Sequence, residues 1–491
     1  MNNQPLTLAH VTHEAVEHIG GIGTVLHGLL TSPIYQKHVK RSILVGPCNP
    51  HISSDPESRL GEGGTVLYSS IDGIDHNGMA NQFHPIEWAF DVGIIYGTRE
   101  VTFPGHDHTG EAEVLLIDVF RTNPDRLAVF KLRLWESFGL ACQKFEKEWE
   151  FEEYVRLAQP AFFALLSLLD RNDPPCVLFS HEFMGMPTAL AAILDGQESF
   201  RTVFHGHECA TARYIVERHP GHDTSFYNIL ELARKRGQHV SDVFGDLDFL
   251  FRHQLIRRSH LCDGIIAVGD RTKSELGFLD SHFDDHPIDL VYNGLPAFEV
   301  TLDQKLTSRK MLLDYAKVLL GYEPDVLMTH VTRPVISKAL WRDLQVCDAM
   351  EPKLKAQGKR AVLFLLTSGG GVRRPQDVLH MERTYGWPMH HREGYPDLVG
   401  PEVGINADIE KFNATHEHVH VVLVNQFGWS RKLIGNRLPR DMDIADLRRA
   451  TDVEFGMAVY EPFGISPLEP LGSGAICVIS DACGCAGFAL D

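Results

Sequence analysis

Short apolar runs alternate with longer amphipathic or polar stretches along most of the chain. Residues 6–11, 41–45, 114–120, 176–179, 264–268 and 288–292 read as strands in the first part. Residues 326–332, 361–367, 419–424, 453–460 and 475–480 read the same way in the second part. Periodic segments at 26–30, 241–261, 270–279, 338–350, 444–450 and 465–472 predict helices, and the long charged run 132–169 predicts two. Strands alternating with helices point to doubly wound α/β sheets. The stretch 51–108, rich in Gly, His and Asp, reads as an insertion or irregular sheet, and 369–415 as irregular.

At 491 residues the chain exceeds what one hydrophobic core organises, so two or more domains are expected. We place an N-terminal domain at 1–300 and a C-terminal domain at 322–491, with 296–321 as the connection. A hydrophobic share of 44% and a charged share of 23% are those of a globular protein. The net charge of −19 argues against nucleic acid or an anionic membrane as main partner. A few local cations can still hold a phosphate. No run approaches the ~18 apolar residues of a membrane span, and the first residues lack a secretory pattern. Nine scattered cysteines, an odd number, fit free thiols and a cytoplasmic setting; Cys483 and Cys485 read as structural.

Four constellations carry candidate chemistry. First, His18, Gly20, Gly21 and Gly23 follow the first strand and open a helix, the strand–turn–helix arrangement that cradles phosphate. Second, Ser180-His181-Glu182 and His205-Gly206-His207-Glu208, with Arg213 beyond, end two strands, where open α/β sheets place ligands. The His-x-His-Glu cluster fits a metal site or a pair of satisfied core histidines equally well on residue types alone. Third, Arg333 and Lys338 sit five apart after a strand, two cations suited to a leaving diphosphate. Fourth, Glu461-Pro462-Phe463-Gly464 leads to Glu469, eight residues after Glu461. Asn293-Gly294 is a turn signal. His416, His418 and His420 alternate and would share one strand face; an edge strand is preferred there over a metal site.

In this order the motifs resemble those of glycogen and starch synthases, retaining GT-B glycosyltransferases. Glu-Pro-Phe-Gly followed by Glu is similar to their donor-site signature, His-Ile-Gly-Gly-Ile-Gly to their opening glycine loop, and His181-Glu182 to their His-Glu-Trp step. His207 falls on the family's active-site histidine, Arg213 on its arginine, and Asn293-Gly294 on the Pro-Asn-Gly run that closes the first domain. Two positions depart: His18 stands where the family has a basic residue, and Ile444 where some members stack a tyrosine on the nucleotide base.

The resemblance implies a GT-B fold, two Rossmann-like domains facing a cleft, with the second ending early enough to suggest a fragment. It implies glucose transfer from ADP- or UDP-glucose to an α-glucan or another glycan acceptor, with no cofactor and no metal; a homo-oligomer is compatible with it. It assigns His207, Glu461, Arg333 and Lys338 to catalysis. Gly20, Gly21, Gly23, His18, His181, Arg213, Asn293 and Glu469 fall to substrate binding. A nucleotide-sugar epimerase and a non-catalytic glycan-binding relative remain the alternatives.

Overall fold

The computed structural model describes residues 5–16, 20–49, 53, 55–102, 108–170, 174–196, 198–218, 224–295, 299–370, 373–386, 390–392 and 397–490. The chain forms two compact units, Met1–Ile215 with Phe226–Gly294, and Val216–Ser225 with Leu295–Asp491.

The first unit is built on a ten-stranded sheet. Its strands are β1 (Leu6–Val11), β2 (Val39–Pro47), β3 (Gly64–Ser69), β4 (Ile74–Asp75), β5 (Gly93–Thr102), β6 (Thr109–Asp118), β7 (Cys176–His181), β8 (Phe200–Gly206), β9 (Gly264–Ala267) and β10 (Ile288–Leu290). They lie in the order β10-β9-β8-β7-β1-β2-β6-β5-β3-β4. From β10 to β6 all neighbours are parallel. From β6 to β4 they are antiparallel. The stretch 51–108 is thus largely a regular antiparallel extension with a helix at Ala80–Phe90, more ordered than its Gly- and His-rich composition suggested. The expected pair of helices appears at Pro124–Phe138 and Trp149–Leu168. The expected helix over 241–261 is broken into Val240–Phe244, Phe251–Arg257 and a 3-10 turn at Arg258–Leu261. Gly245 at φ +79 ends the first piece.

The second unit holds a five-stranded, all-parallel sheet: β11 (Val326–Val331), β12 (Ala361–Leu366), β13 (Val419–Val424), β14 (Val453–Gly456) and β15 (Ile476–Ile479), in the order β13-β12-β11-β14-β15. All six residues of β12 are buried. Val362, Phe364 and Leu366 enter one core and Ala361, Leu363 and Leu365 another, the period-2 split of a strand covered on both faces. Residues 296–321, read as a connection, contain a 19-residue helix, Leu302–Leu320, opened by a Thr301–Gln304 capping box. Its Leu312, Tyr315, Ala316 and Leu319 belong to the first of these cores. Residues 369–415, read as irregular, contain helices Pro375–Tyr385 and Glu402–Asn413.

Two elements near the Glu461 motif differ from expectation. β14 stops at Gly456, four residues short of the expected strand 453–460. The segment 466–473 is a 3-10 turn, not an α-helix, because Pro467 and Pro470 supply no N–H and crowd the preceding turn. None of the nine cysteines is joined in a disulfide. Among the described residues no helix is long and apolar enough to cross a membrane.

Candidate functional site

In the first unit the parallel register gathers histidines at the C-terminal ends of three strands. His10 on β1 pairs with Phe179 on β7, and His181 on β7 pairs with His205 on β8. His207 lies two residues past His205, so alternation keeps it on the same face. The ring centroids of His181, His205 and His207 lie 4.0–5.1 Å apart. His10 Nδ1 meets His181 Nε2 at 2.9 Å, and His181 Nδ1 meets His207 Nε2 at 2.8 Å.

Burial lowers the pKa of His10 to about 4 and, helped by the charges of neighbouring histidines, that of His207 to about 3. His181 and His205 are lowered well below 6.5 for the same reasons. The group is therefore neutral near pH 7. Its ligand nitrogens at His181, His205 and His207 all lie within 4.8 Å of one another, so the trio is the candidate holder of a metal ion. In tetrahedral zinc, with Zn–N of about 2.0–2.1 Å, ligand nitrogens stand about 3.3 Å apart. The 2.8 Å contact is instead that of a hydrogen bond.

Unfolded histidine titrates near 6.5, while folded His10 and His207 titrate at about 4 and about 3. The lowered values mean that the unfolded state binds more protons below pH 6.5. Stability is full above that value and falls as the pH drops toward the folded values. At pH 5.5 these two groups together cost about 3 kcal/mol. Urea unfolding of the first unit is expected to shift to lower denaturant between pH 7.5 and 5.5, and His10→Gln to flatten that dependence. A midpoint independent of pH would contradict it.

Beside the histidines, Glu182 begins helix Glu182–Asp195 at φ +58, a left-handed conformation costly for a residue with a Cβ. A Cβ on Gly185 would lie 2.5 Å from Ser180 Cα, so this helix packs directly on its own strand. Glu182 Oε1 accepts from the Glu208 backbone N–H, and Oε2 has no hydrogen-bond partner among the described residues. Burial, then the Glu208 charge, raises the Glu182 pKa well above the usual carboxylate range. Arg213 forms an ion pair with Glu208. His181, His207 and Arg213 thus belong to one group. Asn293 is buried beyond β10 and makes no hydrogen bond to them among the described residues.

The glycine loop opens helix α1 (Gly21–Leu30). Its amides already have an internal acceptor: Glu14 Oε2 takes Gly20 N–H at 3.0 Å and Gly23 N–H at 2.8 Å. A buried carboxylate thus caps the helix where a phosphate was expected to approach. Gly21 has open space about its Cα. His18 lies outside the described residues.

In the second unit, β11 is followed by a 3-10 turn at Ile336–Lys338. Val459 N–H and Tyr460 N–H both donate to Ser337 O, at 2.9 and 3.2 Å. This stitching explains the early end of β14 and sets Glu461 against Lys338, whose ammonium pairs with the Glu461 carboxylate. Lys338 is buried. Gly484 N–H donates to Glu461 O at 2.8 Å and Cys485 N–H to Phe463 O at 2.9 Å, so Cys483-Gly484-Cys485 buttresses the Glu461 loop. A Cβ on Gly484 would stand 1.7 Å from Pro462 O, which only glycine avoids. Arg333 is exposed, and its side chain makes no hydrogen bond or ion pair among the described residues. Glu469 meets neither Lys338 nor Glu461. It accepts from Arg448 Nη2 at 2.7 Å, and Arg448 also pairs with buried Glu454 at 3.1 Å.

His416 and His418 precede β13, so the three histidines do not share a strand face. His416 bonds Asp348 at 3.0 Å, and His418 bonds Lys359 O at 2.8 Å. His10, Glu14, Arg448 and Glu454 stand outside the sequence motifs. Only Glu14, six residues before Gly20, carried a local signal.

No protein-family model matches the chain, and no curated protein sequence does. Solved structures do match. The catalytic domain of starch synthase IV from Arabidopsis thaliana, bound to ADP and acarbose, is 15% identical over 99% of this chain and 84% of its own, with TM-score 0.49. An alpha,alpha-trehalose-phosphate synthase (UDP-forming) from Burkholderia xenovorans, in complex with glucose-6-phosphate, is 11% identical over 98% and 86%, with TM-score 0.51. One from Burkholderia vietnamiensis is 13% identical over 98% and 86%, with TM-score 0.49. The Burkholderia xenovorans structure, at TM-score 0.51, has the GT-B fold, and this chain shares that fold, two Rossmann-like α/β domains.

Proposed function

We propose that this chain, built on the GT-B glycosyltransferase fold, moves glucose from ADP- or UDP-glucose to an α-glucan with retention at the anomeric carbon. The observation that carries the reading is the contact of Lys338 with Glu461. They are 123 residues apart in the chain, each in a motif singled out for donor chemistry, and they meet beyond the C-terminal ends of β11 and β14. Ligands of open α/β sheets bind at that edge.

In this reading the C1–O bond to the diphosphate breaks and a C1–O bond to an acceptor hydroxyl forms on the same face. The hydroxyl proton passes to the departing diphosphate. Charge grows on that diphosphate as the bond lengthens, and Lys338 and exposed Arg333 neutralise it. Glu461 engages the donor sugar and holds Lys338 in place. Glu469 acts through Arg448, which ties its turn to β14. His207, a neutral imidazole, donates a hydrogen bond to the sugar, and Arg213 fixes the strand-end loop through Glu208. The glycine-loop amides reach an anion only when Glu14 releases them. Wild-type protein incubated with ADP-, UDP- and GDP-glucose is expected to release nucleoside diphosphate only when α-glucan is present, and to label that glucan. Sugar inversion without an acceptor would replace this reading with epimerisation. Donor binding without turnover would replace it with a binding role.

A further inference from the structure

The imidazole contact at His207 is the inner end of a longer series. Ser42 Oγ meets Tyr35 Oη at 2.9 Å, and Tyr35 Oη meets His10 Nε2 at 3.1 Å. His10 Nδ1 then meets His181 Nε2 at 2.9 Å, and His181 Nδ1 meets His207 Nε2 at 2.8 Å. The series crosses four elements: β2, helix α2 (Pro33–His38), β1 and the end of β7. The His10 ring is also stacked on Phe179, with centroids 5.2 Å apart.

A neutral imidazole has one N–H and one bare nitrogen. Three in series therefore allow only two proton arrangements, all donors running toward His207 or all running away. The outer end chooses. A phenol is a better donor than an imidazole N–H, and an imidazole nitrogen a better acceptor than a phenol oxygen. The stronger pairing has Tyr35 O–H donating to His10 Nε2, with Ser42 O–H donating to Tyr35 Oη. His10 Nδ1–H must then donate to His181 Nε2, and His181 Nδ1–H to His207 Nε2. His207 is left with its proton on Nδ1, an atom that has no partner among the described residues.

We propose that Tyr35 and His10 are positioning residues that act through His181 to hold His207 in the Nδ1–H tautomer, so that it meets its ligand as a neutral donor and not as a base. The ligand-facing role of His207 rests on the function proposed above; its tautomer does not. A donor that fixes the bound sugar in its reactive orientation is read mainly on the rate, because a misplaced sugar still binds but reacts slowly.

The test is nitrogen NMR on full-length protein labelled with 15N-histidine, at pH 7.5 and without substrate, with His207 assigned from its loss in His207→Gln. Wild type should show His207 protonated on Nδ1 and bare on Nε2. Tyr35→Phe should shift a substantial share of His207 to the other tautomer and lower kcat about tenfold, with donor KM changed less than twofold. A wild-type His207 protonated on Nε2 overturns the proposal. So does a Tyr35→Phe spectrum with His207 unchanged. Uptake of one equivalent of zinc at submicromolar affinity also overturns it, because His181 and His207 would then turn these same nitrogens to a metal. The wild-type spectrum decides even where Tyr35→Phe fails to fold. If no transferase activity is found, the function falls and the tautomer is still read.

Discussion

Lys338→Met lowers acceptor-dependent diphosphate release by about 10²–10³-fold, the scale on which loss of one fixed charge stabiliser acts on a transition state. Arg333 is exposed and able to move with solvent around it, so it does not substitute for a cation already placed. Lys338 is buried, and its side chain is held by the turn at Ile336–Lys338, by the Ser337 carbonyl stitching and by Glu461. Its geometry is therefore prepared before any donor arrives, which makes its loss expensive in rate. Lys338→Arg should recover little, since a planar fork is a different shape from an ammonium in a closed space. Because Lys338 and Glu461 touch, Lys338→Met with Glu461→Gln should lose less than the product of the two single losses. Single-turnover release, alongside a melting curve showing that the variant is folded, checks this. A folded Lys338→Met within tenfold of wild type removes Lys338 from the diphosphate.

The parts of this protein that were legible from residue types are those specified locally. Fully apolar runs such as 361–366 announce strands covered on both faces, because no polar face is left to meet water. The Glu461 and Lys338 motifs were legible through a resemblance, and their contact adds a spatial link that neither motif contains. Helix Leu302–Leu320 was hidden because its surface is crossed by charges with inward work. Lys305 Nζ donates to the carbonyls of Arg449, Thr451 and Ser473 at 2.8–3.1 Å, so a residue that reads as solvent-facing is part of the packing. Residues 369–415 were misread because glycines and prolines cut the periodicity into pieces shorter than a helix signal needs. The histidine series was beyond reach for another reason. His10 and His181 are 171 residues apart, and only the β1–β7 register brings them together. A one-residue slip in that register would send His10 to the opposite face.

Arg448→Met is expected to destabilise the second unit by about 3–5 kcal/mol, the cost of stripping the partner from a buried charge. The two carboxylates that Arg448 joins are unequal. Glu469 keeps 31% of its side chain in contact with solvent, so water takes over when the guanidinium leaves. Glu454 keeps none. It retains a hydrogen bond from Thr329 and one from Val331 N–H at 3.2 Å, and these stabilise a carboxylate without cancelling its charge. Glu454 thus sets the magnitude, and its position on β14, beside β11, puts the damage in the middle of the sheet. For a unit of this size the loss corresponds to a melting point about 10 °C lower. Adding Glu454→Gln to Arg448→Met should recover much of it, because the amide keeps a hydrogen-bonding shape and carries no charge. Adding Glu469→Gln should recover almost nothing. Hydrogen exchange at β11 and β14 amides assigns the loss to this unit. A melting point within about 2 °C of wild type would mean that water, not Arg448, neutralises Glu454.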